Sequence, residues 1–288
     1  MAHTFYTPSR WIEQPVRITM LGAGGTGGEV LYALARIAKQ LAALGSPDRL
    51  HVTLIDGDVV SASNLGRQRF AECDIGHSKA HVLIQRINLF FDFDWTAVHG
   101  YWTPEEPLSP PAHATDLLIT CVDRAQVRVA LAKAGARQYA SCLWMDFGND
   151  RHTGQCVLGH LGRPPPETTL RLPNIYDLHT ELATLDDTDT PSCSAAEALQ
   201  QQDLFVNALL AEAGMSVLWK LLRHGQTDTH GVLIDVREPS VEPLAIDPVA
   251  WEFYRTAKTG ERPPAASAPP TRARTRAKRT PHASRRRR

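Results

Sequence analysis

The stretch from Val16 to Gly28 does most to limit what this chain can become. An apolar run, Val16-Arg17-Ile18-Thr19-Met20-Leu21, stops at Gly22-Ala23-Gly24-Gly25-Thr26-Gly27-Gly28. Apolar residues then recur at helical spacing, at Val30, Leu31, Leu34, Ile37, Ala38 and Leu41. The pattern reads as a buried strand, a glycine turn, and a helix over Gly27–Leu44 with one face on a sheet. Gly45-Ser46-Pro47-Asp48 stops that helix. A second strand, His51–Ile55, delivers Asp56-Gly57-Asp58, and a polar loop follows with Ser63-Asn64-Leu65-Gly66-Arg67-Gln68.

The same alternation continues downstream. A helix is expected over Lys79–Leu89, a short strand near Ala97–Tyr101 and a Pro-rich loop from Pro104 to Pro111. Leu117–Cys121 is a buried strand closed by Val122-Asp123. Gln126–Tyr139 is helical, and Leu143–Phe147 and Gln155–Leu158 are further strands. Residues 161–192 read as a long crossover loop. The longest helix, Glu197–Arg223, is expected to turn Leu204, Phe205, Ala208, Leu209, Met215, Leu218 and Leu221 to the core. Gly231–Asp235 and Val241–Ile246 make a terminal antiparallel strand pair. The fold class is α/β: a doubly wound, mostly parallel, Rossmann-like sheet covered on both faces. Residues 1–15 are expected to form a loose N-terminal arm, 16–257 one domain, and 258–288 a disordered basic tail.

Charge singles out that tail. The formal net charge is zero, yet from Thr259 onward there are ten Arg or Lys and one acid, about +9, which leaves 21 basic and 30 acidic groups, about −9, elsewhere. The tail reads either as a tether for nucleic acid or an acidic partner, or as a solvated low-complexity end. No apolar run approaches the roughly 20 residues that cross a bilayer, so no membrane is expected. The five cysteines, 73, 121, 142, 156 and 193, form no C-x-x-C pair. That argues against a zinc knuckle or a disulfide framework and for a reducing cytoplasm.

Gly22-x-Gly24-x-x-Gly27 sits where a strand meets a helix. Absent side chains admit phosphates to the backbone, and the helix start offers N–H donors. Asp56 is placed to accept from a ribose hydroxyl. An NAD-dependent oxidoreductase carries the same fingerprint. The following loop suits a triphosphate better. Asn64 can donate to phosphate oxygens, while Arg67 and Lys79 can hold the charge that builds as pyrophosphate leaves. Asp123, at another strand's carboxyl end, can position Mg²⁺ against those phosphates.

Taken together, Gly22-Ala-Gly-Gly-Thr-Gly27, Asp56-Gly-Asp58, Ser63-Asn-Leu-Gly-Arg67-Gln68, Lys79, and Asp123 with Arg128 resemble the adenylation domain of the ThiF/MoeB/HesA, ubiquitin-activating-enzyme-like family. Pro191-Ser-Cys-Ser-Ala-Ala-Glu197 and the compact size most resemble the ThiF-type member of PRTRC systems. The resemblance implies a homodimer that uses ATP and Mg²⁺ to adenylate the C-terminal carboxylate of a small ubiquitin-like or sulfur-carrier protein. It implies nucleotide contacts for Gly25, Asp56, Ser63, Asn64, Arg67, Lys79 and Asp123, with magnesium at Asp123. Many relatives carry zinc on paired C-x-x-C motifs, and none is expected here. Many also send an N-terminal arginine into the partner's site. Here that position holds Glu13, so either Arg10 or Arg17 substitutes or the contact is missing.

Cys193 is the candidate nucleophile. A thiolate near a helix start attacks an acyl-adenylate readily, giving a thioester. The plainer alternative is a cysteine in a loop or packed at the helix start. Cys73, Cys121, Cys142 and Cys156 read as buried small hydrophobes. Three other functions stay open: adenylation of a small molecule, peptide or tRNA; an NAD-dependent oxidoreductase; and an inactive scaffold.

Overall fold

The computed structural model describes residues 3–105, 108, 115–138, 142–162, 164, 170–184 and 202–251. Cys193, residues 185–201 of the expected crossover loop and long helix, and the basic tail lie outside them.

The elements run in this order: β1 Phe5–Tyr6, α1 Ser9–Glu13, β2 Val16–Leu21, α2 Gly25–Ala43, β3 Leu50–Asp56, α3 Lys79–Phe91, β4 Thr96–His99, β5 Leu117–Thr120, α4 Ala125–Gln138, β6 Leu143–Asn149, β7 Thr153–His160, α5 Ile175–Leu178, α6 Val206–His224, β8 Gln226–Thr227, β9 Thr229–Asp235 and β10 Ser240–Ala245. Among the described residues, eight strands form one sheet in the order β10-β9-β7-β6-β5-β2-β3-β4. The five from β6 to β4 are parallel, and β7, β9 and β10 add on antiparallel.

Topology sets the position of the site. From β2 the chain steps outward to β3 and β4, then returns to β5 on the other side of β2 and moves on to β6. Right-handed crossovers in opposite directions put α2 and α3 on one face and α4 on the other. Accordingly α2 packs on α3 and α6, while α4 packs on α5. The crevice where the direction reverses opens at the carboxyl ends of β2 and β5. With both faces covered, the central strands are mostly apolar: Ile18, Met20, Leu54, Leu118, Ile119, Trp144 and Met145 are all buried.

Several expectations are corrected. Residues 3–15 are not a loose arm. Trp11 is 1% exposed, β1 pairs with β8, and the His3 N–H donates to Ile246 O at 2.8 Å. The expected crossover loop contains structure: Leu172, Ile175 and Leu178 are buried, and Asn174 caps α5 by accepting from the N–H groups of Tyr176 and Asp177 at 2.9 and 3.1 Å. Leu204 and Phe205 do not face the core, being 44% and 68% exposed, because α6 begins only at Val206. Met215, Leu218 and Leu221 are buried as expected, Ala208 and Leu209 only partly, and Val206, Asn207, Leu210 and Gly214 extend the buried stripe. Cys73 is exposed, whereas Cys142 and Cys156 are buried as expected and Cys121 is partly so. Burial pushes the thiols of Cys121 and Cys156 well above the usual range and that of Cys142 up to about 12. None of these three is a thiolate at neutral pH.

Candidate functional site

The glycine turn is built by close approach. Gly22 has φ +98°, and a methyl group there would sit 2.5 Å from Cys121 O, so the turn lies directly against the end of β5. Gly27 is equally constrained, since its methyl would come within 2.1 Å of Gly22 O. Gly24 differs. Its φ is −74°, which any residue adopts, and a methyl there would meet nothing within 4 Å. Neither packing nor backbone conformation demands glycine at that position. Gly24 is also the N-cap of the 19-residue α2, and no side chain caps the helix. Its first amides and dipole therefore face open space at the switch point.

That space is a cleft of about 1700 Å³. It is lined by Gly22, Gly24, Gly25, Asp56, Asp58, Ser63, Asn64, Arg67, Lys79 and Asp123, so ten residues singled out in the sequence converge on it. Gly27 lies beneath the turn instead. The cleft continues over the antiparallel half of the sheet, past Gly148, Gly154, Gln155, Leu233 and Ile234.

Asp56 ends β3 and braces the turn. Its Oδ2 accepts from the Ala23 N–H at 2.7 Å and its Oδ1 from the Asp58 N–H at 2.8 Å. Burial pushes its carboxyl above the usual range, against the pull of those two amides. Asp58 Oδ2 accepts from Lys79 Nζ at 2.9 Å and Oδ1 from the Tyr101 hydroxyl at 2.5 Å. Burial would raise the Asp58 carboxyl, yet the Tyr101 hydroxyl and the Lys79 ammonium, with Arg124 nearby, hold it below its ordinary value. The Tyr101 ring lies on Gly57, where a methyl would come within 2.5 Å of it.

The loop after β3 folds on its own polar groups. The Asn64 carbonyl oxygen accepts from the Ser61 N–H at 2.9 Å and the Ser61 hydroxyl at 3.1 Å, and Ser63 Oγ meets Ser61 Oγ at 2.9 Å. The amide nitrogen of Asn64 is its remaining donor. Arg67 donates from Nη1 to Gln202 Oε1 at 2.7 Å, while its Nε is buried without a partner among the described residues. Burial draws its guanidinium pKa down. A half-buried cation with an orphaned donor on a cleft wall suits an anionic ligand.

Asp123 is exposed on the cleft rim, where β5 gives way to α4. Among the described residues no cluster of three or more His, Cys, Asp or Glu side chains is placed to hold a metal. Arg128 also lines the cleft, but its guanidinium is engaged by the sheet. Its Nε donates to Asp146 Oδ1 and Oδ2 at 2.9 and 3.0 Å, and its Nη2 to Phe147 O at 3.1 Å. This buried pair is part of the floor. Arg10 and Arg17 both bind Asp116, at 2.6 and 3.1 Å, at the end of β2 opposite the cleft.

Sequence reasoning missed a cluster of neutral groups beside the turn. Thr26 Oγ1 lies 2.6 Å from Asn207 Oδ1 and 3.1 Å from Asn149 Oδ1, and Asn207 Nδ2 donates to Gln202 Oε1 at 3.0 Å. Asn149 ends β6, and Asn207 sits on the buried stripe of α6. No local pattern links them. The one legible signal was an asparagine where helical spacing calls for an apolar residue.

No curated protein sequence matches the chain. Among solved structures, selenomethionyl PaaA is similar, with 14% identity, a TM-score of 0.55, and coverage of 80% of this chain and 64% of that one. Escherichia coli MccB with ATP gives 17% identity, a TM-score of 0.53, and coverage of 81% and 65%. MccB with AMPCPP and selenomethionyl MccA gives 15%, 0.54, and 81% and 65%. The chain thus spans just under two thirds of the length of these structures, and at such identities the likeness is one of fold. The family model described as ThiF family matches residues 12–198, about two thirds of the sequence. With the glycine turn, the Asp56 brace and the cationic wall in one cleft, the chain belongs to the ThiF family.

Proposed function

We propose that this chain is an ATP-dependent adenylyltransferase acting on the C-terminal carboxylate of a small protein or peptide. The observation that carries the reading is Gly24: a glycine needed by neither packing nor φ, at an uncapped helix start, opposite a half-buried arginine with an orphaned Nε. That arrangement suits a polyphosphate lying between turn and arginine. Family membership and the fold shared with MccB, solved with ATP and with MccA, support it.

In this reading the turn and the α2 amides hold the phosphates, and Asp56 takes the ribose. A carboxylate oxygen of the acceptor attacks the α-phosphorus, the bond to the bridging oxygen breaks, and pyrophosphate leaves with its added charge on Arg67 and Lys79. Mg²⁺ takes few protein ligands when phosphates supply the rest, so the single carboxylate of Asp123 fits a metal that arrives with the nucleotide. Bound there, it supplies neutralising charge. The extension of the cleft over β7 and β9 gives an extended chain end a path to the α-phosphate. A ubiquitin-like or sulfur-carrier acceptor ending in glycine, a thioester on Cys193, a homodimer and nucleic-acid binding by the tail are the finer parts of the proposal.

The test is exchange of labelled pyrophosphate into ATP with small proteins and peptides ending in a free carboxylate. Exchange is expected with one of them, to be lost in Asp123→Ala and Arg67→Ala. Cys193→Ala should keep exchange and lose a thiol-labile acceptor adduct. Binding of NAD but not ATP would replace the proposal with the oxidoreductase reading.

A further inference from the structure

Gln202 stands just before α6, and its side-chain oxygen accepts two hydrogen bonds, from Arg67 Nη1 at 2.7 Å and from Asn207 Nδ2 at 3.0 Å. Asn207 continues the chain of contacts to Thr26 at 2.6 Å and Asn149 at 3.4 Å. A methyl group on Gly25 would come within 2.5 Å of Asn207 Nδ2, so these amides press directly on the glycine turn. Among the described residues, the side chains that link Arg67 to the turn, Gln202, Asn207 and Thr26, are all uncharged. That is a costly choice on pairing strength alone. A carboxylate at the position of Gln202 would give a charge-assisted pair roughly twice as strong as a neutral bond. It would also cancel the arginine's charge at the cleft wall.

The geometry points to Gln202 as a positioning residue: a neutral acceptor that aims Arg67 into the cleft while leaving its positive charge whole for an incoming polyphosphate. Asn207 fixes the amide so that its oxygen, not its nitrogen, meets the guanidinium. Through Asn207 and Thr26 the arginine and the glycine turn are held in register across the space between them. This inference rests on the nucleotide-binding reading above and adds a specific source of discrimination between triphosphate and monophosphate.

The experiment measures ATP and AMP binding by titration calorimetry, with Mg²⁺ present, for the full chain and two variants. Gln202→Glu keeps size and acceptor but brings a negative charge to Arg67. It should weaken ATP about tenfold or more, while AMP, which lacks the outer phosphates, stays within about twofold. Gln202→Leu removes the acceptor and keeps the arginine's charge, so its loss of ATP affinity should be the smaller. Melting temperatures establish that both variants fold. Equal losses for ATP and AMP, an unchanged ATP affinity in Gln202→Glu, or a larger loss in Gln202→Leu would each overturn the inference and leave nucleotide binding intact. A wild-type chain that binds neither nucleotide would instead overturn the functional reading, and the inference with it.

Discussion

Lys79 is held twice by Asp58: its ammonium donates to Oδ2 at 2.9 Å and its backbone N–H donates to the carbonyl oxygen at 3.0 Å. The second bond belongs to the main chain and survives any side-chain change. It ties the start of α3 to the end of β3 whatever stands at position 79. Position and charge are therefore separable at this residue. Lys79→Met should leave the melting temperature nearly unchanged, because Asp58 stays half-exposed to water. Pyrophosphate exchange should fall about a hundredfold, the usual loss when one group stabilising transition-state charge is removed. Exchange kinetics and a thermal melt check both halves.

Two glycines of one turn should respond in opposite ways. Gly27→Ala places a methyl 2.1 Å from a carbonyl oxygen and should unfold or severely destabilise the protein. Gly24→Ala meets no atom within 4 Å, so the fold should hold while ATP binding is lost. Melting and nucleotide titration of the two variants separate a glycine kept for structure from one kept for a ligand.

Two buried histidines give the fold an acid limb. His230 donates from Nδ1 to Leu158 O at 3.0 Å and accepts at Nε2 from Trp251 Nε1 at 2.9 Å, which only the neutral ring can do. His160 accepts at Nδ1 from the Leu172 N–H at 3.0 Å. Burial lowers each pKa from 6.5 to about 4. The unfolded chain then binds protons that the native state refuses. Their contribution is complete above pH 6.5 and is lost as pH falls towards 4, on the order of 3 kcal/mol for each ring. Denaturant midpoints measured from pH 7 to 4 should decline through this window. His230→Gln should flatten part of the slope. Asp58 and Asp74, held below the ordinary carboxylate range, act only at lower pH.

The floor of the cleft should tolerate replacement of a pair but not of one partner. Asp146, 1% exposed, holds Arg128 and accepts from Thr120 Oγ1, which in turn accepts from Trp144 Nε1 at 2.8 Å. Asp146→Ala leaves a buried guanidinium without its counter-charge and should cost about 3–5 kcal/mol. The double change to Arg128→Met and Asp146→Leu should cost much less. Chemical denaturation of the three proteins checks this.

The half of the fold around the glycine turn was legible because its signals are local. A glycine turn between an apolar strand and a periodic helix, with an acidic strand end soon after, leaves few arrangements. The cleft residues from Gly22 to Lys79 lie within 58 positions and are brought together by two successive crossovers. Gln202, Asn207 and Asn149 were illegible because their meaning depends on how far α6 reaches across α2 and β6. The partner of Arg128 was illegible for a similar reason. It lies five residues past Asp123 in sequence, yet its partner Asp146 is on the neighbouring strand. The N-terminal segment was missed because its backbone partners, Thr227 for Phe5 and Ile246 for His3, lie more than 200 residues later.

That distant cover has a consequence for biosynthesis. His3, Phe5 and Thr7 are sewn to Ile246, Thr227 and Leu221, all close to the last described residue. On a ribosome the glycine turn and its parallel strands emerge long before those partners do. The segment before β2 must wait, unlatched, until β8 and the residues after β10 arrive. Closing so long a loop is slow compared with local pairing. The strand and helix that precede the glycine turn are therefore among the last to dock.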